Sequence, residues 1–198
     1  VLEIDENGNQ RTFGNNPGFG VPVGLAVDRM GNLYVSDIGT HKIYRIGTDE
    51  TVSVLAGSTR GLQNGSGSEA KFDTPYDLFV DDHSNVYVSD SGNHQIRKID
   101  THGHVSTFAG NQVSGDSIGV DDDSRFNNLR GITQDYYGNL YVADYGNSKV
   151  KLIQVIPDQL RFTIEMEDEA GNFVSVNQTS DNRSFEIDLE KPEIHSLV

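Results

Sequence analysis

Cysteine is absent from the 198 residues, so disulfides and thiolate metal ligands are excluded, while the compartment stays open. Basic side chains are scarce: 15 Lys and Arg stand against 30 Asp and Glu, a formal charge of −15. Neutralisation of phosphate by Lys and Arg dominates nucleic-acid binding, and this balance excludes that class of partner. No apolar run approaches the ~20 residues that span a bilayer, so no membrane insertion is expected. The first residue is valine rather than methionine, and no signal peptide is visible. The expectation is a processed or excised piece whose targeting signals are lost. The length suffices for one ordinary domain, or one and a fraction.

What the chain does contain is a repeat. Pro75-Tyr-Asp-Leu-Phe-Val-Asp81, Asn85-Val-Tyr-Val-Ser-Asp90, Gly92-Asn-His-Gln-Ile-Arg-Lys-Ile-Asp100 and Gly103-His-Val-Ser-Thr-Phe-Ala-Gly110 are four short β-patterned runs. Gly, Asn, Asp and Ser separate them, and these are turn residues. The pattern stands 53 residues earlier, where Pro22, Asp28, Asp37 and Gly57 match Pro75, Asp81, Asp90 and Gly110. It stands again 54 residues later, where Asp135, Tyr141 and Asp144 match Asp81, Tyr87 and Asp90. Self-similarity at this period with four strands per repeat indicates propeller blades.

The wording, Pro-x-Gly/Asp-x-x-x-Asp-x-x-Gly-Asn-x-Tyr-Val-Ser/Ala-Asp followed by Asn-His-x-Ile-x-x-Ile-Asp and Val-x-Thr-x-Ala-Gly, resembles the NHL-repeat family over residues 1 to about 153. It departs at Ser84, where the other copies carry Gly31 and Gly138, and at Asn128-Leu129, where the leading proline is missing. The resemblance implies an all-β fold, a partial β-propeller of four-stranded blades. Some relatives bind RNA through a basic face, and this chain lacks the charge for it.

Residues 1–14 align with the second half of a repeat, so the sequence opens in mid-blade. Blades follow at 15–57 and 58–110, and a partial blade at 111–156. The polar loops 58–73 and 111–126 each end in Phe, Phe72 and Phe126, which are expected to plug the grooves between blades. Connectivity puts these loops on one rim, with the turns 38–41, 91–94 and 145–148. The other rim has only tight hairpins. Long ordered loops often carry function, which names the first rim as the functional face. An unclosed stack is expected to leave open apolar faces lined by residues such as Leu78, Val80, Ile132 and Leu140.

Residues 157–198 read differently. Leu160-Arg-Phe-Thr-Ile-Glu-Met166 with Asp168-Glu-Ala-Gly-Asn172, and Ser184-Phe-Glu-Ile-Asp188 with Lys191-Pro192-Glu-Ile194, resemble the last strands of a bacterial immunoglobulin-like domain. A whole sandwich needs about seven strands and ~100 residues. The segment is therefore a partial immunoglobulin-like run, or its strands complete the third blade.

Candidate chemistry is sparse. Asp37, Asp90 and Asp144 close strands, and Asp28, Asp81 and Asp135 open hairpins; a carboxylate in either place is read as a turn cap. His41 and His94 occupy a position that is commonly His in the family pattern, and Ser148 replaces it in the third blade. Asp77 is the one ionisable group expected on an inner strand facing the channel. Asp116, Asp121, Asp122 and Asp123 form an acidic loop with oxygen ligands suited to Ca²⁺, without the spacing of a dedicated loop. Asn64, Asn177 and Asn182 open glycosylation sequons. No catalytic residue is assigned and no other cofactor is expected. The candidate ligand-binding residues are Asp116, Asp121, Asp122, Asp123, His41 and His94.

These features point to a non-catalytic binding or scaffold module of a larger extracellular or cell-surface protein. Its expected partner is a protein or glycan surface, and further blades or subunits are expected to close the ring. The rivals are a propeller lyase or hydrolase with a channel metal completed by other blades, and a repeating subunit of a surface filament or sheath.

Overall fold

The computed structural model describes residues 2–12, 14, 18–117, 124–155, 161–167 and 173–174. Strands β1 (Leu2–Ile4) and β2 (Gln10–Thr12) pair as an antiparallel hairpin. Strands β3 (Pro22–Val27), β4 (Leu33–Asp37), β5 (Lys42–Ile46) and β6 (Val52–Ala56) form a sheet in chain order. The next sheet holds β7 (Gly65–Ser66), β8 (Pro75–Val80), β9 (Val86–Asp90), β10 (Gln95–Ile99) and β11 (His104–Ala109), in the order β7-β11-β10-β9-β8. A third sheet runs β12 (Leu129–Gln134), β13 (Leu140–Asp144), β14 (Lys149–Val155), β15 (Arg161–Glu167) and β16 (Phe173–Val174).

Sequence fixes the hairpins locally. In Asp28-x-x-Gly-Asn32, Asp28 Oδ1 accepts the N–H groups of Met30 (2.9 Å) and Asn32 (2.8 Å). Its Oδ2 accepts the Asn32 side-chain amide at 2.6 Å. Asp81 with Asn85 and Asp135 with Asn139 repeat the arrangement. The turn needs a left-handed residue before the Asn, supplied by Gly31 (φ 85°) and Gly138 (φ 91°). Ser84 is forced into the same conformation at φ 64°. The repeated aspartates are turn locks.

The third sheet extends past the point where the repeat wording ends. β15 is hydrogen-bonded to β14 along its whole length, Lys149 opposite Glu167 and Val155 opposite Arg161. Arg161–Glu167, overlapping the run read from the sequence at 160–166, thus supplies the fourth strand of this sheet. Apart from Phe173 and Val174, the remaining residues of 168–198 lie outside the described residues.

The core lies between sheets. Leu78 and Val88 of the second sheet pack with Tyr34 and Ile43 of the first around Phe72. Ile132 and Leu140 of the third pack with Tyr87 and Ile96 of the second around Phe126. Both phenylalanine rings are fully buried, as their place at the loop ends implied, each worth roughly 1.5–3 kcal/mol of burial.

The open face is not where the sequence suggested. Leu78 is 2 % exposed, Ile132 and Leu140 are buried too, and Val80 packs against the first core. These positions face the preceding blade, which is present for the second and third sheets. Their first-sheet counterparts have no such neighbour among the described residues. Leu25, matching Leu78, is 58 % exposed, and Val27, matching Val80, is exposed as well. A hollow of about 300 Å³ lies there, lined by Phe19, Val23, Leu25 and Val35.

Candidate functional site

The rim that carries the long loops is built around buried charge. Arg97 sits on β10 with no exposed surface, its guanidinium 5.3 Å from the centre of the Phe72 ring. It donates to Asp90 (2.8 Å), to the carbonyls of Lys71 (3.2 Å) and Gln63 (3.0 Å), and to the Asn64 side chain. Fifty-four residues on, Lys151 is equally buried and lies 5.2 Å from the Phe126 ring. Its ammonium reaches Asp144 (3.0 Å), the Arg125 carbonyl (2.8 Å) and Asp116 (3.1 Å). Asn93 and Asn147 complete the motif, each donating from one amide to the strand-end aspartate and to a loop carbonyl, Gly61 or Gly115.

Each cation therefore clamps the loop that leads into its own blade. The first loop folds as a hairpin in its crevice, bridged at Gln63–Lys71, and its β7 runs beside β11; the described residues of the second are bridged at Ser117–Arg125. The first loop is less free than its polar composition implies.

The strand-end carboxylates differ in charge balance. Burial raises the Asp37 carboxyl, but the N–H groups of Val21, Thr40 and Gly20 outweigh it and hold the group below its ordinary value. At Asp90 burial dominates and pushes the carboxyl up to about 6, against Asn93, Arg97 and the Asp73 N–H. The same burial lowers Arg97, against the pull of Asp90.

The sequence-derived candidates are not brought together. His41 Nδ1 accepts the Thr74 N–H at 3.2 Å, and His94 Nδ1 accepts the Asn128 N–H at 3.4 Å. Both histidines are left-handed, at φ 57° and 55°, and so tie one blade to the first residues of the next. Asp116 lies between Lys149 (2.8 Å) and Lys151. Asp121, Asp122 and Asp123 lie outside the described residues. Asp77 accepts the Ile132 N–H at 3.0 Å and so joins the inner strands of the second and third sheets. Among the described residues, no three of His, Cys, Asp or Glu converge as a metal site would require.

Two features escaped the sequence. Arg97 and Lys151 were not singled out, and the one available signal was the apolar-leaning Tyr44 at the matching position. The other is Tyr136-Tyr137 at a hairpin tip, where the earlier copies have Arg29-Met30 and Asp82-His83. A pair of aromatics on a tip was the signal.

No family model matches the chain. It is similar to NHL repeat-containing protein 2 of Bos taurus, 29% identical over 167 residues that cover 76% of this chain and 23% of that protein. It is also similar to a solved protein of unknown function from Bacteroides thetaiotaomicron VPI-5482, with TM-score 0.59 and 28% identity over 70% of this chain and 37% of that one. An auxiliary nutrient binding protein from the same organism matches with TM-score 0.69 and 21% identity, covering 77% of this chain and 42% of that one. The chain spans less than half the length of each of these relatives.

Proposed function

We propose that this NHL-repeat segment, all-β and built of propeller blades, is a rigid, non-catalytic binding or scaffold module of a larger extracellular or cell-surface protein. One observation carries the reading: the recurring charged groups are spent on the framework. Asp90 and Asp144 hold buried cations, Asp116 holds two lysines, and His41 and His94 hold backbone N–H groups. An acid–base catalyst needs a group within reach of its substrate and free to change protonation state. A framework locked in this way suits presentation of a fixed surface, where little ordering cost accompanies binding. The likeness to a nutrient binding protein supports the same reading. The exposed Leu25 and Val27 fit the flank of a further blade, from the longer chain or another subunit.

Printed glycan and peptide arrays, probed with the purified protein in calcium and in EDTA, test the proposal. Saturable binding, with the eluted ligand unchanged by mass spectrometry, is the expected outcome. A ligand that comes back cleaved contradicts it and favours the propeller enzyme. Loss of binding in EDTA assigns Ca²⁺ a part.

A further inference from the structure

We propose that the groove between the second and third sheets on the tight-hairpin rim binds an oligosaccharide, with Tyr136 and Tyr137 stacking on its sugar rings. The proposal rests on the binding-module reading and moves the ligand to the rim opposite the long loops. The groove has a volume of about 850 Å³, within the 300–1,000 Å³ typical of ligand sites. The turns 81–85 and 135–138 bound it. Phe79 and Tyr87 stack at 5.0 Å and 7° in its wall, with the Lys98 ammonium 5.6 Å from the Tyr87 ring.

Tyr136 and Tyr137 are 98 % and 82 % exposed, ring centroids 5.7 Å apart at 81°. Their side chains form no hydrogen bond among the described residues; the turn is locked by Asp135, Asn139 and the Tyr137 N–H, just as Asp28, Asn32 and the Met30 N–H lock theirs without aromatics. Nor does their exposure come from standing at the end of the stack. Met30, at the tip of the first hairpin, is 68 % exposed although a blade follows. The tips project beyond the sheets in either case.

The chemistry fits sugar. A pyranose presents a face of C–H bonds that packs on an aromatic ring, and hydroxyls around its edge that take mixed donors and acceptors. Tyrosine supplies rigid amphipathic area at low entropic cost. His83, Lys98 and Thr133 line the groove, and among the described residues no hydrogen bond or ion pair engages their side chains. A peptide added as a further strand would need an open backbone edge. The turn backbones here are already closed, Asp81 N–H on Asn85 and Asp135 N–H on Asn139. The formal charge of −15 disfavours a nucleic acid.

Calorimetric titration with maltohexaose, cellohexaose, xylohexaose and chitohexaose tests the site, on the wild type, Tyr136→Ala/Tyr137→Ala and Asp116→Asn. At least one hexaose is expected to bind with Kd below about 1 mM. The tyrosine variant should lose about tenfold or more in affinity at unchanged melting temperature, while Asp116→Asn keeps it. Affinity that survives in the tyrosine variant and falls in Asp116→Asn overturns the groove and leaves the binding-module reading intact. If no hexaose binds, the carbohydrate assignment falls, and peptide binding on the arrays decides the module reading separately.

Discussion

At one register of the third strand, the first blade carries Tyr44 and the next two carry Arg97 and Lys151. Tyr44 meets Phe19 edge-on at 5.0 Å, and its hydroxyl donates to Thr40 at 3.2 Å. β2 ends at Thr12 and β3 begins at Pro22, so the chain leading into that blade is short. Arg97 and Lys151 meet Phe72 and Phe126 in the same slot, and long loops lead into those blades. Loop length and buried charge go together for a physical reason. A hairpin tucked into a crevice brings backbone carbonyls with it, and these need donors once water is excluded. Among the described residues of the short connection, no carbonyl bonds to Tyr44, and ring contact with Phe19 fills the slot. The cation is the price of the long loop.

That contrast sets the largest expected effect. Arg97→Met leaves Asp90 without its cation and takes one of two donors from each of the Gln63 and Lys71 carbonyls, which should cost about 3–5 kcal/mol. Tyr44→Phe, at the same register, loses one hydroxyl bond, about 0.5–1.5 kcal/mol. Urea unfolding of both variants measures the gap, and equal losses would break the comparison. Phe72→Ala comes next, at about 3 kcal/mol or more if the crevice does not collapse. Phe19 is only half-buried, so Phe19→Ala should cost less than half as much by the same measurement.

A smaller effect separates the strand-end aspartates by pH. Asp37, held below the ordinary 3.8, contributes stability that is present above that pH and lost as pH falls through its folded value. Asp90 has the opposite sign. Between 3.8 and about 6 the folded protein keeps a proton there that the unfolded chain has released, so stability falls as pH rises through that window. Carbon-detected NMR titration should place Asp37 below 3.8 and Asp90 near 6, and coincident titrations would erase the difference. The smallest effect lies in the hairpins. Ser84 does with strain what Gly31 does without it, so Ser84→Gly should raise stability by about 0.5–1 kcal/mol in thermal unfolding.

Blades were legible in the sequence because their determinants are local. Asp28, Gly31 and Asn32 make a hairpin within five residues, and the same spelling recurs at Asp135 and, with Ser84 for the glycine, at Asp81. Phe72 and Phe126 were legible too, as apolar residues ending polar loops. What was hidden is non-local. Alternation shows that Leu25 and Leu78 share a face, not which neighbour that face meets, and one is bare while the other is buried. Arg97 takes its carbonyl partners from 26 and 34 residues away, so nothing beside it in the chain marks it as buried. His41 and His94 were visible as a repeat position, but their acceptor role depends on backbone 33 and 34 residues on. The fourth strand of the third sheet was left between two readings for another reason: the repeat wording stops before Pro157, and pairing to β14 depends on backbone geometry rather than on that wording.

Amide hydrogen exchange across the first long loop tests the central claim, that a buried cation holds the loop in its crevice. Gly61 and Lys71 donate to Phe72 and Gln63 within the loop, at 3.0 and 3.1 Å, and should exchange slowly in the wild type. In Arg97→Met these amides should lose protection while those of β4 and β5 keep theirs. Unchanged protection at Gly61 and Lys71 would show that the loop holds itself and that Arg97 is a passenger.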